Sequence, residues 1–297
     1  LLTDGVSRLA VRLNGEAYNE QAIARCLKAV SAPLCGLSPP DITTDAGLKH
    51  LSGLKNLEYL GLYPSYRANV VHTKITDAGL EHLKGLTKLR TLYLSQASVT
   101  DLTPLTRLTS LQHLSLSGSR VTNAGLANLK GLKQLNQLNL SNTGVSDTGL
   151  EHLKGLVNLR ILKLKETKNV TNLFPMKGLT QLEQLDLSRS TVRDGGLENV
   201  NGLANLRILN LSGAKNIATL APLKNLPNLE ILVLSRSTVT NAALANMKGL
   251  SSLRALDLTT TKVSDAGIVH LKGLPNLQKL ILSGTQVTGT GLKSLKR

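Results

Sequence analysis

Aromatic side chains are scarce in this chain, and the shortage limits the kind of core that it can build. Its 297 residues include one Phe, five Tyr and no Trp, together with two Met. Leu, Val, Ile and Ala must therefore fill the interior, although a globular core usually combines side chains of different shapes. Such uniformity predicts one small packing unit that is used many times.

Cysteines and long apolar runs are also scarce. Cys26 and Cys35 are too few for a disulfide framework or a zinc site. Both would face inward, and the sequence is compatible with two buried thiols as well as with one disulfide. No apolar run approaches the roughly 18 residues of a membrane span, so we expect no transmembrane segment.

Acidic residues are outnumbered by basic ones. The chain has 35 Lys and Arg against 19 Asp and Glu, a formal net charge of +16. Such an excess favours anionic partners and speeds the encounter with them. A second interpretation stays open, in which the charge only keeps a Leu-rich surface soluble.

The sequence does contain a repeat, the pattern L-x-x-L-x-L. Successive copies lie mostly 22–24 residues apart, with one interval of 32 residues, and two degenerate copies precede them at 6–11 and 32–37. We therefore count about twelve coils. The ten regular copies start at Leu57, Leu89, Leu111, Leu135, Leu159, Leu182, Leu206, Leu229, Leu253 and Leu277.

Each coil is predicted to form a strand and then a short helix. Alternate strand residues point to opposite faces, so Leu92 and Leu94 should point inward and Tyr93 outward. The helix then covers segments such as 75–86. We expect its leading Asp or Asn to accept a backbone N–H of the same helix, and its closing Gly to be left-handed. In three coils Pro replaces this helix with a 3₁₀-like segment, at 101–105, 172–176 and 219–223.

These consecutive copies, each followed by a small polar position and a short helix, resemble the leucine-rich repeat family. The long coils are similar to bacterial repeats with the signature V-T-D-A-G-L-x-x-L-K-G-L, and the Pro-containing coils to internalin-type repeats. The resemblance covers 32–297, preceded by an N-terminal cap with a degenerate first repeat at 1–31. It implies an α/β fold, a right-handed horseshoe solenoid with a parallel sheet on the concave face and short α or 3₁₀ helices on the convex face.

One position departs from the family pattern. The family usually places Asn after the strand, where it bonds neighbouring backbone. Because hydroxyls can bond less backbone than an amide, we expect a looser ladder between coils. The residues at this position are Ala97, Ser119, Thr143, Thr167, Ser190, Ala214, Ser237, Thr261 and Thr285.

No catalytic arrangement is visible. No Gly-rich phosphate loop, nucleophile elbow or metal-ligand spacing occurs, so we predict no enzyme activity, no cofactor and no metal. Four histidines occupy one repeat position that holds Asn in other coils, which indicates hydrogen bonding rather than metal binding. They are His50, His82, His152 and His270.

Two surfaces are predicted to bind a protein or peptide partner. The first surrounds an insertion at 63–74, because Tyr and Arg are enriched in binding hot spots and inserted loops often carry function. A tolerated surface insertion is the alternative. Its candidate residues are Tyr59, Tyr63, Tyr66, Arg67, His72, Arg90, Tyr93 and His113.

The second surface lies on later strands, where Ile208, Ile231 and Val233 should touch and Arg236 belongs to a charged rim. An apolar centre with a polar rim is typical of a protein interface. β-branched residues also simply suit strands, so this surface has a structural explanation as well.

A weaker candidate is a row of lysines at the helix ends, including Lys130, Lys154 and Lys177. It would bind an anionic glycan or acidic surface, although Lys at a helix end also complements the helix dipole. Aromatics are not interleaved with these lysines, so we do not expect specific nucleic-acid binding.

The sequence therefore predicts a non-enzymatic scaffold that recognises a protein or peptide. Two alternatives stay open. One is an envelope or secreted protein that binds an anionic glycan, and the other is the substrate-recognition part of a larger effector or enzyme. The last helix lacks a polar cap, so self-association through that end is a further expectation.

Overall fold

A computed structural model describes residues 2–3, 9–12, 34–38, 44–62 and 73–295 of the chain. The chain forms two compact units, Leu1–Gly144 and Val145–Arg297, which are described separately below.

The first unit contains one sheet in which sequence neighbours pair. Strand β1 is antiparallel to β2, and the six strands β2 to β7 pair in parallel with one another in sequence order. The strands are β1 (Leu2–Thr3), β2 (Leu9–Arg12), β3 (Leu34–Ser38), β4 (Tyr59–Gly61), β5 (Thr91–Tyr93), β6 (His113–Ser115) and β7 (Gln137–Asn139).

Short helices follow the strands of this unit. An α-helical turn usually continues into a 3₁₀ turn, so the predicted helix at 75–86 is split in two. The α-helices are α1 (Asp45–Lys49), α2 (Asp77–Leu80) and α3 (Asn123–Leu126), and the 3₁₀ segments are Glu81–Leu83, Thr103–Arg107 and Ala127–Leu129.

The second unit repeats this arrangement with parallel strands throughout its described residues. The strands are β8 (Ile161–Lys163), β9 (Gln184–Asp186), β10 (Ile208–Asn210), β11 (Ile231–Val233), β12 (Ala255–Asp257) and β13 (Lys279–Ile281).

Its helices are equally short. The α-helices are α4 (Asp147–Leu150), α5 (Asp194–Leu197), α6 (Asn241–Leu244), α7 (Asp265–Ile268) and α8 (Gly289–Lys293). The 3₁₀ segments are Glu151–Leu153, Phe174–Met176, Glu198–Gly202, Ala221–Asn225, Ala245–Gly249 and Val269–Gly273.

Leucines fill the space between the strands and the helices. Leu92 and Leu94 of the strand side are fully buried, as are Leu80 and Leu83 of the helix side. The 3₁₀ segments predicted around Pro104, Pro175 and Pro222 are present. The predicted α/β arrangement, in which parallel strands and short helices enclose a leucine core, is therefore confirmed in each unit, while the number of coils stays a prediction.

The prediction for the leading Asp of each helix was wrong. Thr76, one residue earlier, is the N-cap of α2 and its hydroxyl accepts the Ala78 N–H at 3.3 Å. The Asp77 carboxylate instead accepts from the next coil, from the Thr100 backbone N–H and hydroxyl, both at 2.7 Å. Asp45, Asp147 and Asp265 make the same pair of bonds. This residue therefore ties one coil to the next.

The prediction for the closing Gly was also wrong. Positive φ in the described residues occurs in the turn after the strand, as at Asn142 (φ 53°) and Gly213 (φ 69°), and at none of the closing glycines. The helix ends in a 3₁₀ turn that runs on without a left-handed residue. The chain must instead reverse sharply where it leaves the sheet, and that turn requires the left-handed residue.

Thr260 occupies this left-handed turn at φ 55°, which is costly for a β-branched residue. We expect Thr260→Asn to raise the free energy of unfolding by about 0.5–1 kcal/mol, because Asn tolerates this region better. Asn142 shows that the turn accepts Asn. Urea unfolding measures the change, and Thr180→Asn at an exposed position without positive φ is the control. A loss of stability at 260 would contradict the explanation.

The polar position after the strand is the one for which we expected a looser ladder, and that expectation stays a prediction. The hydroxyls of Thr143 and Thr167 bond a carbonyl of their own coil, both at 2.6 Å. Backbone bonds between coils nevertheless continue beyond the strand, as from Gln96 N–H to the Ser117 carbonyl at 2.7 Å. The ladder is thus maintained by the main chain and does not depend on a side-chain amide.

Candidate functional site

The first predicted surface has a compact aromatic pair at its centre. The rings of Tyr59 on β4 and Tyr93 on β5 meet edge to face, with centroids 5.8 Å apart and an interplanar angle of 60°. Both side chains are half-buried on the solvent face of the sheet. Burial raises the pKa of the Tyr93 phenol above its usual range, and the neighbouring Tyr59 adds to the effect. The Tyr93 phenol therefore stays neutral at physiological pH.

Polar contacts hold the neighbours of this pair. Thr91 Oγ1 lies 3.2 Å from His113 Nδ1 on the next strand. Arg90 Nε lies 3.5 Å from Glu58 Oε2, and these two residues directly precede β5 and β4. The structure thus places Tyr59, Tyr93 and His113 on the three adjacent strands β4, β5 and β6, with Arg90 directly before β5. Tyr63, Tyr66, Arg67 and His72, with most of the insertion at 63–74, lie outside the described residues.

The second predicted surface lies in the other unit, on β10 and β11. Ile208 stands directly opposite Ile231, and Val233 stands opposite Asn210 on one side and Asp257 on the other. All three apolar side chains are half-buried. Ile208 and Ile231 are therefore paired residues on adjacent strands, which lie about 4.8 Å apart in a sheet.

Charged residues border this apolar centre. Arg207 Nε donates to Glu230 Oε1 at 2.9 Å. This bond, with further help from the charge of Arg254, holds the pKa of Glu230 below its ordinary value despite partial desolvation. Arg236 lies exposed in the turn after β11. A polar border around an apolar centre is thus present in the described structure.

The helix-end lysines are exposed but partly engaged. Lys154 forms an ion pair with Glu151 and also lies over the ring of Phe174, 5.5 Å from the centroid. Lys177 closes a 3₁₀ segment in the same unit, whereas Lys130 belongs to the first unit. These contacts occupy part of the charge that the predicted anion site would offer.

One repeat position on the helix holds His in some coils and Asn in others, and the Asn side chains there form hydrogen bonds. Asn128 donates to Asp101 at 3.0 Å and Asn199 to Asn172 at 3.2 Å, each in the preceding coil. Among the described residues, no group of three His, Cys, Asp or Glu side chains could hold a metal ion. Cys26 lies outside them, and the Cys35 side chain is likewise not described, so the predicted disulfide stays a prediction.

Helices in the described part of the chain are all too short and too polar to cross a membrane.

Four cations were missed at the sequence level. Together with Arg236, which was predicted as part of a charged rim, they follow the strands of the second unit, one in each of five consecutive coils. A signal was available, since the pentapeptide SRSTV occurs at both 188–192 and 235–239, which indicates a repeat of two coils. The five residues are Lys168, Arg189, Lys215, Arg236 and Lys262.

Comparisons with known proteins agree with the described fold. A family profile described as a leucine-rich repeat region matches residues 35–293. The internalin inlF of Listeria monocytogenes is 23% identical, covers 93% of this chain and 92% of its own, and superposes with a TM-score of 0.66. Internalin C2 of the same bacterium is 27% identical, with coverages of 81% and 92% and a TM-score of 0.56.

A plant protein is also similar in structure. It is the ectodomain of the membrane receptor kinase GASSHO1/SCHENGEN3 of Arabidopsis thaliana, in complex with Casparian strip integrity factor 2. The identity is 20%, the coverage 88% of this chain and 34% of the receptor chain, and the TM-score 0.61. The search of curated proteins returns no match.

Proposed function

Because this chain belongs to the leucine-rich repeat family, in its bacterial type, we propose that it is a binding scaffold that recognises a protein or peptide through the solvent face of its sheet. The family fold is commonly used for protein binding and is generally non-enzymatic. In such solenoids the outward strand residues can vary without disturbing the stacked core.

The observation that carries this proposal is the apolar centre formed by Ile208, Ile231 and Val233. These side chains stay partly exposed while the leucines between them, Leu209 and Leu232, are fully buried. Exposed apolar groups that cluster in this way often mark interaction sites. The centre therefore supplies a partner with hydrophobic contact that the fold itself does not need.

The border of this centre indicates what the partner must offer. Arg207 and Glu230 already neutralise each other, whereas exposed Arg236 has an uncompensated charge in its own turn. An apolar side chain flanked by a carboxylate on the Arg236 side would complement the surface. We infer a partner segment with one large aliphatic or aromatic anchor, because such anchors dominate binding energy.

A displayed random-peptide selection on the purified chain tests this proposal. We expect the enriched peptides to share an apolar anchor, and Ile231→Ala to weaken their binding by more than about 1 kcal/mol. Ile161→Ala, an outward strand position away from the centre, is the matched control and should leave the affinity unchanged. Peptides that bind Ile231→Asp as tightly as the wild type would reject this surface.

The Tyr59–Tyr93 pair is the second proposed contact region, together with the insertion at 63–74. Its support is the edge-to-face packing, which presents a rigid aromatic surface at little entropic cost. A counter-screen of the same selection with Tyr93→Ala separates the two regions, since peptides seated on the aromatic pair lose binding there and keep it with Ile231→Ala.

The alternative of an anionic glycan held by Lys130, Lys154 and Lys177 has less support. Lys154 is engaged by Glu151 and Phe174, and Lys130 belongs to the other unit. Self-association and a role inside a larger effector or enzyme stay proposals, for which the described residues offer no specific contact.

A further inference from the structure

The second unit carries a regular row of cations along one edge of its sheet. The row consists of Lys168, Arg189, Lys215, Arg236 and Lys262, and we name it the strand-end edge. The turns after β8 to β12 read KETK, SRST, SGAK, SRST and TTTK, so each turn supplies a cation at its second or its fourth residue. From Lys168 onward the two positions alternate, which produces a zigzag of cations. The first turn carries a second lysine, Lys165, next to Glu166.

Hydrogen bonds between coils hold the second position of each turn in register. The Arg189 N–H donates to the Ser212 carbonyl, the Gly213 N–H to the Ser235 carbonyl and the Arg236 N–H to the Thr259 carbonyl, each at 2.7 Å. The backbone of these turns is therefore stacked as tightly as the strands themselves.

The fourth position is held in register by side chains. The Thr191 hydroxyl donates to the Lys168 carbonyl at 2.8 Å, and the Thr238 hydroxyl to the Lys215 carbonyl at 3.2 Å. Lys215 Nζ in turn donates to the Arg236 carbonyl at 2.8 Å. Each Thr thus fixes the Lys of the preceding coil, and the alternation of Arg-Ser-Thr turns with Lys turns has a structural basis.

Acidic residues compensate part of the charge on this edge. Asp186 and Asp257, the last residues of β9 and β12, accept the Ser188 and Thr259 N–H of two of the turns, both at 2.9 Å. Neighbouring coils lie about 4.8 Å apart, so five cations span roughly 20 Å along the coil axis. Glu166 is the one carboxylate in the five turns, and it pairs with Arg189 at 3.0 Å at one end of the row. A ligand with regularly spaced negative charges would therefore meet a matching row of positive ones.

We propose that the strand-end edge binds a linear anionic polysaccharide that runs along the coil axis. The turn hydroxyls of Ser212, Ser235 and Thr259 lie beside the cations and are partly exposed, so they can bond sugar hydroxyls. Arg supplies planar, bidentate recognition of a carboxylate or sulfate. The edge shares Arg236 with the border of the Ile208–Ile231 centre. The double variant Arg189→Gln and Lys215→Gln, which keeps Arg236, therefore separates a failure of the edge from a failure of the proposed peptide site.

Other linear anions fit this edge less well. The five turns contain no aromatic residue on which a nucleic-acid base could stack. An extended peptide that adds to a sheet needs available backbone N–H groups, yet those of Arg189, Gly213 and Arg236 are already bonded between coils. A polysaccharide needs neither feature, because its charge and hydroxyl groups match those of the edge.

The test compares two triple variants that remove equal charge from the same unit. The first is Arg189→Gln, Lys215→Gln and Arg236→Gln on the strand-end edge. The second is Lys177→Gln, Lys224→Gln and Lys248→Gln at the helix ends. The probes are heparin fragments, which carry sulfate, and polygalacturonate fragments, which carry carboxylate, so the two arms identify the anionic group. All six substituted residues are exposed. Thermal melting curves that match the wild type verify that both variants fold.

We expect the edge variant to raise the Kd of at least one probe by about tenfold or more and to reduce the salt dependence of log K by roughly 0.7 for each charge removed. The helix-end variant should stay within roughly twofold of the wild type. An equal loss in both variants would mean binding to overall charge and would overturn the proposal, as would the failure of both probes to bind. Equal affinity for polyglutamate or single-stranded DNA of matched charge would overturn it too.

Discussion

Replacing Leu209 with Ala is expected to lower the free energy of unfolding by about 3–5 kcal/mol, whereas Ile208→Ala on the neighbouring residue should cost less than about 1.5 kcal/mol. Leu209 is fully buried at the centre of β10, between Leu185 and Leu232 of the adjacent strands. Its removal leaves a cavity that the flanking coils cannot close without losing their own contacts. Ile208 points to the opposite face and is partly exposed.

Urea unfolding of the two variants measures this difference in stability. A peptide-binding assay on the folded Ile208→Ala variant then measures its effect on affinity. We expect Ile208→Ala to keep most of the stability and to lose affinity for peptides that are selected on the apolar centre. Equal destabilisation by the two substitutions would contradict the alternation of strand residues. Unchanged binding by Ile208→Ala would remove this residue from the site.

The leucine pattern was sufficient to predict the solenoid because the packing unit is local. Leu114, Leu116, Leu126 and Leu129 lie within one coil, and their spacing alone decides which face they share. The 3₁₀ segments were predictable for the same reason, since a proline removes a donor and a helical bond wherever it stands.

Contacts between coils were harder to predict. A leading Asp obeys a familiar local rule for helix caps, and the sequence offers no hint that Thr76 satisfies the cap while Asp77 bonds Thr100, 23 residues later. The glycine of the same D-x-G-L motif has a related role. A Cβ on Gly79 would collide with the Asp45 carboxylate of the previous coil, so Asp and Gly serve the same interface from its two sides.

The candidate sites divide in the same way. The closeness of Tyr59 and Tyr93 followed from repeat register. Tyr59 pairs with Thr91, and Tyr93 lies two residues further along the same face of the sheet, so the two rings are diagonal neighbours. The strand-end edge escaped notice because its cations alternate between two positions of the turn. When the turns are aligned, the second position holds a cation in only every second coil, and so does the fourth position. The row is recognised only when two coils are compared as one repeat.

Asp77→Ala is the second substitution with a large expected effect, a loss of about 2–3 kcal/mol in the free energy of unfolding. The carboxylate accepts three hydrogen bonds from the next coil, two from Thr100 and one from the Asp101 N–H at 3.1 Å. Without it these donors lose partners at a partly buried interface between coils. Asp77→Asn should cost less, because Asn241 fills the equivalent place and bonds both the Ser264 N–H and hydroxyl, at 2.9 and 2.8 Å.

The pH dependence of these variants tests whether the charge matters. Partial burial raises the pKa of Asp77, but the bonds from Thr100 and Asp101 outweigh it and lower the pKa below its ordinary value. A carboxyl whose pKa is lowered by folding stabilises the fold above its unfolded pKa and loses that contribution as the pH falls through the folded pKa. The gap between wild type and Asp77→Asn should therefore be full at neutral pH and shrink below about pH 4.

Glu81→Gln provides the control for this pH series. Glu81 is exposed and pairs with Lys84 at 3.1 Å, three residues along the same helix, so its loss should cost no more than about 0.5 kcal/mol. Urea unfolding at neutral pH and in the acid range compares all three variants. A difference in unfolding free energy between wild type and Asp77→Asn that stays constant with pH would show that the carboxylate acts only by its shape. The observed bonds imply instead that each such Asp holds its coil to the next partly through its charge.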